Sequence, residues 1–505
     1  MSTEKRILTA SLLSAAVMLL YSSHVKPRSK TTAEQPIHQP DITEAISVYP
    51  DQDEDVMFID SPNVQAEVGK VSAAVRKVIL KDHKNIDTGE PLSFGINYPV
   101  IQLLIDGKPV NAISHNSQVN VASLDVVSNA GKHYNISYTM KLDAPVVVID
   151  VTSLGQDSQS ITLGMLSTWN KGDQLANRYN QLELVALTKK ESPFQREYLH
   201  YLRSSKARTV PRGTQFVTLT DRYFCQSVRT GTQSTVTVLP SVGETIAAQI
   251  TFGEISKGSF NAEVYVGTRD YFELTKAGFK SAFKVGVLGK IGLAMLVFLN
   301  WIAKITRNYG IAIILFSIFI TSLLSPFTLL SFRSMKKMQQ LKPQMDKIMA
   351  QHKGDTQKAN AEVMRLYREQ KVSPLSGCLP MLLQFPVLIA LFQAITHFIE
   401  LRGKSFFWIN DLSLPDRVAT LPFALPILGH DINLLPMIMA VVMYFQSKRS
   451  QQQVSSSEAN PMASIMSGPL MSVMFGIMFY QFPSGLVLYW LSNSLSTLVL
   501  YSIAK

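Results

Sequence analysis

The chain has 505 residues, enough for two or three domains. Apolar residues make up 46% and charged residues only 17%, yet the net charge is +11. That combination excludes bulk intrinsic disorder and a soluble DNA-binding protein, whose surface would be densely charged. It points to a membrane protein with its basic excess concentrated in one place.

Lys5 and Arg6 precede an apolar run from Ile7 to Tyr21. Residues 1–24 read as a retained transmembrane anchor, because no small-x-small cleavage site follows Ala16 before His24. A cleaved signal would export the following residues equally well. Residues 25–55 are rich in Pro, Gln, Ser, Thr and Asp and read as a flexible tether. Residues 56–270 read as an all-β sandwich. The runs 75–80, 215–220, 234–239 and 261–266 are rich in β-branched residues, with turn-forming residues between such runs. Over residues 25–283, 26 Lys/Arg face 27 Asp/Glu, so this part is neutral. It holds no Ser/His/Asp order, metal-ligand spacing or glycine-rich phosphate loop, and His115, His133 and His200 are isolated. Cys225 and Cys378 stand in different surroundings and predict no disulfide.

Residues 271–307 close the exported part. At about 100° per residue, Lys290, Asn300, Lys304 and Arg307 share one arc of the 285–303 helix, although Leu293 and Val297 fall there too. It reads as an amphipathic helix on the outer membrane interface. Beyond it, residues 308–332 and 372–399 carry no charge, 418–447 carry only Asp431, and 459–504 carry none. A span needs about 20 apolar residues. The first three windows supply spans at 308–330, 376–399 and 432–446, and the last breaks at Phe482-Pro483-Ser484-Gly485 into two. The fold class is therefore a polytopic α-helical membrane protein with six transmembrane helices, five of them forming a core over 308–505, plus a large β domain outside.

Charge sets the orientation. Residues 331–371 hold ten Lys/Arg against four Asp/Glu, more than half of the net excess. The positive-inside rule places this segment and both termini in the cytoplasm and residues 25–283 in the periplasm. Within it, Phe332, Met335, Met338, Leu341, Met345, Ile348 and Met349 recur at spacings of three or four. Gly354 interrupts, and Ala359, Val363, Leu366 and Tyr367 continue, which predicts a helical hairpin over 331–373. Its methionines either zip the two helices together or offer an adaptable apolar surface. Its basic face, including Lys336, Lys337, Arg365 and Arg368, is solvated or meets anionic lipid or ribosomal RNA.

Polar residues in the spans mark the interior. Ser317, Thr321, Ser325 and Thr328 lie on one helix face, rising about 16 Å along the axis. They serve either close helix packing or the wall of a hydrated groove. Gln384 sits mid-span before Pro386, and the last helix adds Tyr489, Trp490 and Asn493. No span carries a charge at mid-depth, which argues against ion-coupled transport. Ser484 has no base at depth, which argues against intramembrane proteolysis. Neither metal nor cofactor is expected, and the chain reads as a non-enzyme. A channel or transporter with a β-rich outer domain is the alternative, and a sugar-binding or epimerase-like sandwich a third reading.

The C-terminal half resembles the YidC/Oxa membrane protein insertases. The matching residues run in order: Asn308-Tyr309-Gly310, Ser325-Pro326-Phe327-Thr328, Lys371 to Pro374 followed by Gly377-Cys378-Leu379-Pro380, Gln384-Phe385-Pro386, Trp408-Ile409-Asn410-Asp411, and Phe482-Pro483-Ser484-Gly485 with Tyr489-Trp490. The exported domain resembles that of the Gram-negative branch, more weakly, through Asp221-Arg222-Tyr223-Phe224 and Tyr265-Val266-Gly267. The resemblance implies an inner-membrane insertase with a groove open to cytoplasm and lipid, here lined by Ser317, Thr321, Ser325, Thr328, Gln384, Tyr489, Trp490 and Asn493. It implies nascent membrane proteins as clients. Met335, Lys336, Lys337, Met338, Met345, Met349, Arg365 and Arg368 of the hairpin would meet substrate or ribosome. The Sec translocon is the implied partner for larger clients. The family usually carries an arginine midway along the second span, and here that position is Thr321, so the groove is expected to be polar but uncharged. The sequence ends at Lys505 without a basic tail, which leaves ribosome contact to the hairpin and the 447–460 loop.

Overall fold

The computed structural model describes residues 54–84, 89–95, 99–154, 159–166, 183–189, 196–201, 208–238, 247–255, 259–282, 287–352, 354–370, 372, 379–425, 429–451 and 469–503. The anchor over 1–24, nearly all of the tether, and Cys378 lie outside the described residues.

Among the described residues, seventeen strands, from Val56–Asp60 to Ser259–Thr268, join in one continuous sheet. The described pairings are antiparallel, for example Val147 with Met140 on one side and with Val264 on the other. Alternation drives the fold. In His133–Met140 the side chains of Tyr134, Ile136, Tyr138 and Met140 are buried, and those between them are half-buried. Ile101–Ile105 is buried throughout, as expected of a strand covered on both faces. The sheet closes over one apolar cluster that includes Ile59, Leu103, Tyr138, Ile149 and Val264. The four runs singled out in the sequence lie in the strands Val75–Lys84, Arg208–Thr220, Phe224–Val238 and Ser259–Thr268, except for Leu239, which lies outside the described residues.

The sheet hands over to helices at α1 (Tyr271–Lys276), capped by Asp270, whose Oδ1 accepts from the Phe272 and Glu273 amides at 2.8 and 2.9 Å. Then follow α2 (Val287–Thr306), α3 (Tyr309–Gln340), α4 (Lys342–Gln351), α5 (Thr356–Glu369), α6 (Leu379–Thr396), α7 (Leu434–Gln451), α8 (Pro469–Phe479) and α9 (Ser484–Ile503). Two of them, over Gly289–Thr306 and Tyr309–Met338, are long and apolar enough to cross a membrane, and three further apolar stretches are shorter. A two-stranded ribbon, Ala419–Leu425 with Gly429–Ile432, precedes α7 and was not foreseen.

α2 packs along α3 and α6. A Cβ on Gly292 would come within 2.8 Å of the Ala390 carbonyl. Its exposed side carries Lys290 and Lys304, as the arc predicts, but also Ile291, Val297, Trp301 and Ile305. Asn300 is half-buried and accepts from the Tyr309 hydroxyl at 3.0 Å. At the start of α3, a Cβ on Gly310 would overlap the Phe406 ring, which gives this glycine its reason. α3 runs unbroken through Pro326. The span expected to end near residue 330 instead continues to Gln340, taking up the first part of the segment expected as a hairpin, and Gly354 at φ +106° separates α4 from α5.

Glu263 ties the sheet surface together, with Lys141 Nζ at 2.9 Å and Arg229 beside it. Partial burial pushes its carboxyl up, but the hydrogen bonds and charges of Lys141 and Arg229 outweigh this and hold it below the usual range. A carboxyl depressed in the fold takes its proton more readily when unfolded. Its contribution is therefore complete above the ordinary glutamate pKa of about 4.3 and is lost as pH falls through the lower folded value. Acidification should thus lower the melting temperature of the full-length chain, and Glu263→Gln should flatten part of that fall. An acid limb unchanged by the substitution would show that these pairs are not linked to folding.

Candidate functional site

The apolar helices meet around one polar cluster. α3 is charge-free between Arg307 and Arg333, and α6 and α9 carry no charged residue at all. Hydroxyls and amides within them must therefore find partners in the protein. Ser317 of α3 is fully buried and its Oγ donates to the Tyr489 carbonyl of α9 at 3.2 Å. One turn on, Thr321 Oγ1 donates to the Ser317 carbonyl at 2.8 Å and accepts from Asn493 Nδ2 at 2.9 Å. On the other side, Gln384 Nε2 of α6 donates to the Tyr489 phenol oxygen at 2.7 Å. Tyr489 is fully buried and so touches both neighbours: its carbonyl serves α3 and its side chain serves α6.

Five of the eight expected groove residues thus form one interhelical network. The other three stand apart. Ser325 and Thr328 continue the stripe, but their hydroxyls donate to Ser322 and Leu324 of their own helix, at 2.7 and 3.1 Å. Trp490 turns to α8, where its ring lies 5.8 Å from Phe475 and 5.4 Å from Phe479. Thr321 is held by the Asn493 amide.

Two features were missed in the sequence. One is an apolar cleft of about 470 Å³ between α3 and α9, walled by Ile314, Ile318, Leu491 and Leu495 and closed by Phe406 to Ile409. Ile318 lines it on the α3 side. No sequence signal reveals such a cleft, because leucines on a packed face and on a cleft wall look alike. The other is the segment 411–416, which gathers helix ends. Its Asp411 carbonyl accepts from Ser484 Oγ, its Leu412 carbonyl from the Gly485 amide, and Asp416 Oδ2 from the Leu435 amide and from Trp408 Nε1. The Trp408-Ile409-Asn410-Asp411 motif was the available signal.

In the hairpin, Met338 and Met345 pack with Ile348 and Leu366 around Leu341, Val363, Tyr367 and Val372, and Met345 Sδ accepts from the Tyr367 hydroxyl. Met349 is half-buried. Met338 at the end of α3 and Met345 of α4 thus pack in the cluster shared with α5, and the Met335 side chain lies outside the described residues. Lys336, Lys337, Arg365 and Arg368 are exposed, with Arg365 Nε 2.9 Å from Glu369 Oε1. Among the described residues no three His, Cys, Asp or Glu side chains gather as a metal site. Burial pushes the Cys225 thiol up to about 12, so it is a poor nucleophile. The arrangement places amide and hydroxyl hydrogen-bond partners in an apolar setting.

Residues 301–505 match the family model described as the 60Kd inner membrane protein. The membrane protein insertase YidC of Syntrophobacter fumaroxidans is 40% identical over 239 residues, 47% of this chain and 42% of the relative. That of Pelobacter propionicus is 38% identical over 238 residues, 46% of this chain and 42% of the relative. The match therefore spans less than half the length of either relative. A crystal structure of an active YidC insertase with its first transmembrane domain resolved covers 92% of this chain and 96% of its own, at 17% identity and a TM-score of 0.38.

The Gln384–Tyr489 bond has a measurable weight. Tyr489→Phe should destabilise the helical core by about 1 kcal/mol. In a double-mutant cycle with Gln384→Leu, the two losses should not add. Full additivity in reversible unfolding of the helical core would remove the bond from the network.

Proposed function

The chain belongs to the YidC/Oxa family of membrane protein insertases, and from that premise we propose that it inserts nascent proteins into the bacterial inner membrane. The observation that carries this reading is the hydrogen-bonded network of Ser317, Thr321, Gln384, Tyr489 and Asn493 inside charge-free stretches of α3, α6 and α9. Such a network stabilises the resting bundle. Its partners can be traded for the polar groups of an entering chain without a change of net charge.

In this reading an anchor, α3, α6, α7, α8 and α9 span the bilayer, the β domain is periplasmic, and α2 lies on the outer interface. A client tail entering from the cytoplasm exchanges hydrogen bonds with Thr321, Asn493 and Gln384. Its apolar segment meanwhile moves out into lipid. Ser325 and Thr328 extend the polar path toward the basic hairpin, where Lys336, Lys337, Arg365 and Arg368 meet anionic headgroups or the ribosome. Larger clients would be shared with the Sec translocon. With Thr321 in place of a buried arginine, binding owes nothing to attraction between an acidic tail and a cation. A mid-membrane arginine would cost about 2.5–3.5 kcal/mol on insertion scales, and this chain does without it.

Purified full-length protein in liposomes should insert a small single-span client, and photocrosslinkers at Thr321, Ser325 and Thr328 should capture a stalled one. Clients with acidic and with neutralised tails should insert equally well. Capture confined to the exposed Leu323 on another face of α3, or solute flux without insertion, would overturn the reading in favour of a channel or transporter.

A further inference from the structure

Arg222 is the largest fully buried side chain described, with 2% of its surface exposed, and it sits at the tip of a β hairpin. Asp221 builds that tip. Its Oδ1 accepts from the Tyr223 and Phe224 amides at 2.8 and 2.7 Å, closing an Asx turn between the strands Arg208–Thr220 and Phe224–Val238. Arg269 braces the turn, its Nη1 donating to the Asp221 carbonyl at 3.0 Å. The turn carries Arg222 out of the β domain and into the helical core. There Nε donates to the Thr396 carbonyl at 2.6 Å and Nη2 to the Ser413 carbonyl at 2.9 Å, with the Tyr223 ring 4.6 Å from the guanidinium carbon.

Both acceptors are helix ends or receive them. Thr396 is the last residue of α6, where carbonyls lack helical partners and a cation is favoured by the helix dipole. Ser413 lies in the segment whose Asp411, Leu412 and Leu414 carbonyls hold the first residues of α9. One guanidinium therefore bridges the end of α6 and the seat of α9, the two helices that Gln384 and Tyr489 join. Two contacts lie beside it: Ile399 enters the apolar cluster of the β domain, and Arg402 Nη1 donates to the Lys84 carbonyl at 3.0 Å. The planar fork suits two carbonyls in different directions; a lysine ammonium would act as a point charge.

We propose that Arg222 is a positioning residue through which the β domain sets α6 against α9, and so holds the Gln384–Tyr489 pair in register. The inference concerns the coupling of β domain and core and stands whether or not insertion is the activity.

The test is hydrogen exchange on the purified full-length chain, with the Gln384–Tyr489 double-mutant cycle repeated in each background. In Arg222→Met, the Ser413, Leu435, Ser484 and Gly485 amides should exchange about ten- to a hundredfold faster, as for loss of a charge-assisted hydrogen bond. Amides of His133–Met140 should be unchanged, and the Gln384–Tyr489 coupling should shrink. Arg222→Lys should fall between parent and Met, and it serves as the test if the Met variant does not fold. Arg229→Met, which removes a β-domain arginine bonded to the Gly278 carbonyl instead, should leave the four amides as they are. The proposal is overturned if strand and helix-end amides accelerate together, if the coupling is the same with and without Arg222, or if the Lys variant matches the parent.

Discussion

Ser317, Thr321, Gln384, Tyr489 and Asn493 lie in charge-free stretches of their helices, so each must find its partner on a neighbouring element or on its own backbone. Burying an unpartnered amide or hydroxyl costs several kcal/mol, about 2–7 depending on the reference state. Tyr489 resolves this for three helices at once. Its backbone carbonyl still has a second lone pair for Ser317, while its phenol takes the Gln384 amide. The side on which α9 faces α3 and the side on which it faces α6 follow from that pair of bonds. Small residues permit the close approach: Gly310 leaves room for Phe406, and Gly292 lies against Ala390.

Around this centre the molecule separates polar from apolar duties along the α3–α9 seam. One face holds the hydrogen-bond ladder, and another opens into the cleft walled by Ile314, Ile318, Leu491 and Leu495. Ser492 and Ser496, which also line the cleft, spend their hydroxyls on Leu488 and Ser492 of their own helix, at 2.8 Å each. The cleft therefore presents almost no free polarity. At the end of the bundle where α6 stops and α9 starts, the 411–416 segment and the hairpin tip at Arg222 do for backbone groups what Tyr489 does for side chains. They supply partners to helix ends that would otherwise be buried unmet.

Much of this was legible in the residues. The basic 331–371 segment, the break at Gly354 and the turn at 482–485 were read from charge, glycine and proline, which act locally. The strand runs were read from β-branched alternation. The stripe from Ser317 to Thr328 was placed on one face by helical period alone, and α3 is indeed one uninterrupted helix. Period cannot say what a face meets, however. Ser317 and Thr321 reach α9, whereas Ser325 and Thr328, on the same stripe, bond only backwards. Tyr489 and Trp490 are adjacent in sequence and serve different neighbours. Arg222 was noticed within a motif, but nothing local tells a buried arginine at a domain junction from a solvated one in a turn.

The sequence by itself determined where charge is allowed, which stretches are helical or extended, and which family the C-terminal half resembles. Each depends on composition or on spacing within a few turns. Only the tertiary structure decided that five polar residues from three helices form one network, that Thr321 is satisfied by Asn493, and that one arginine of the β domain bridges the end of α6 and the segment that seats α9. Those are contacts between residues 105 to 191 positions apart. Their geometry is set by how whole elements pack, which no local pattern carries.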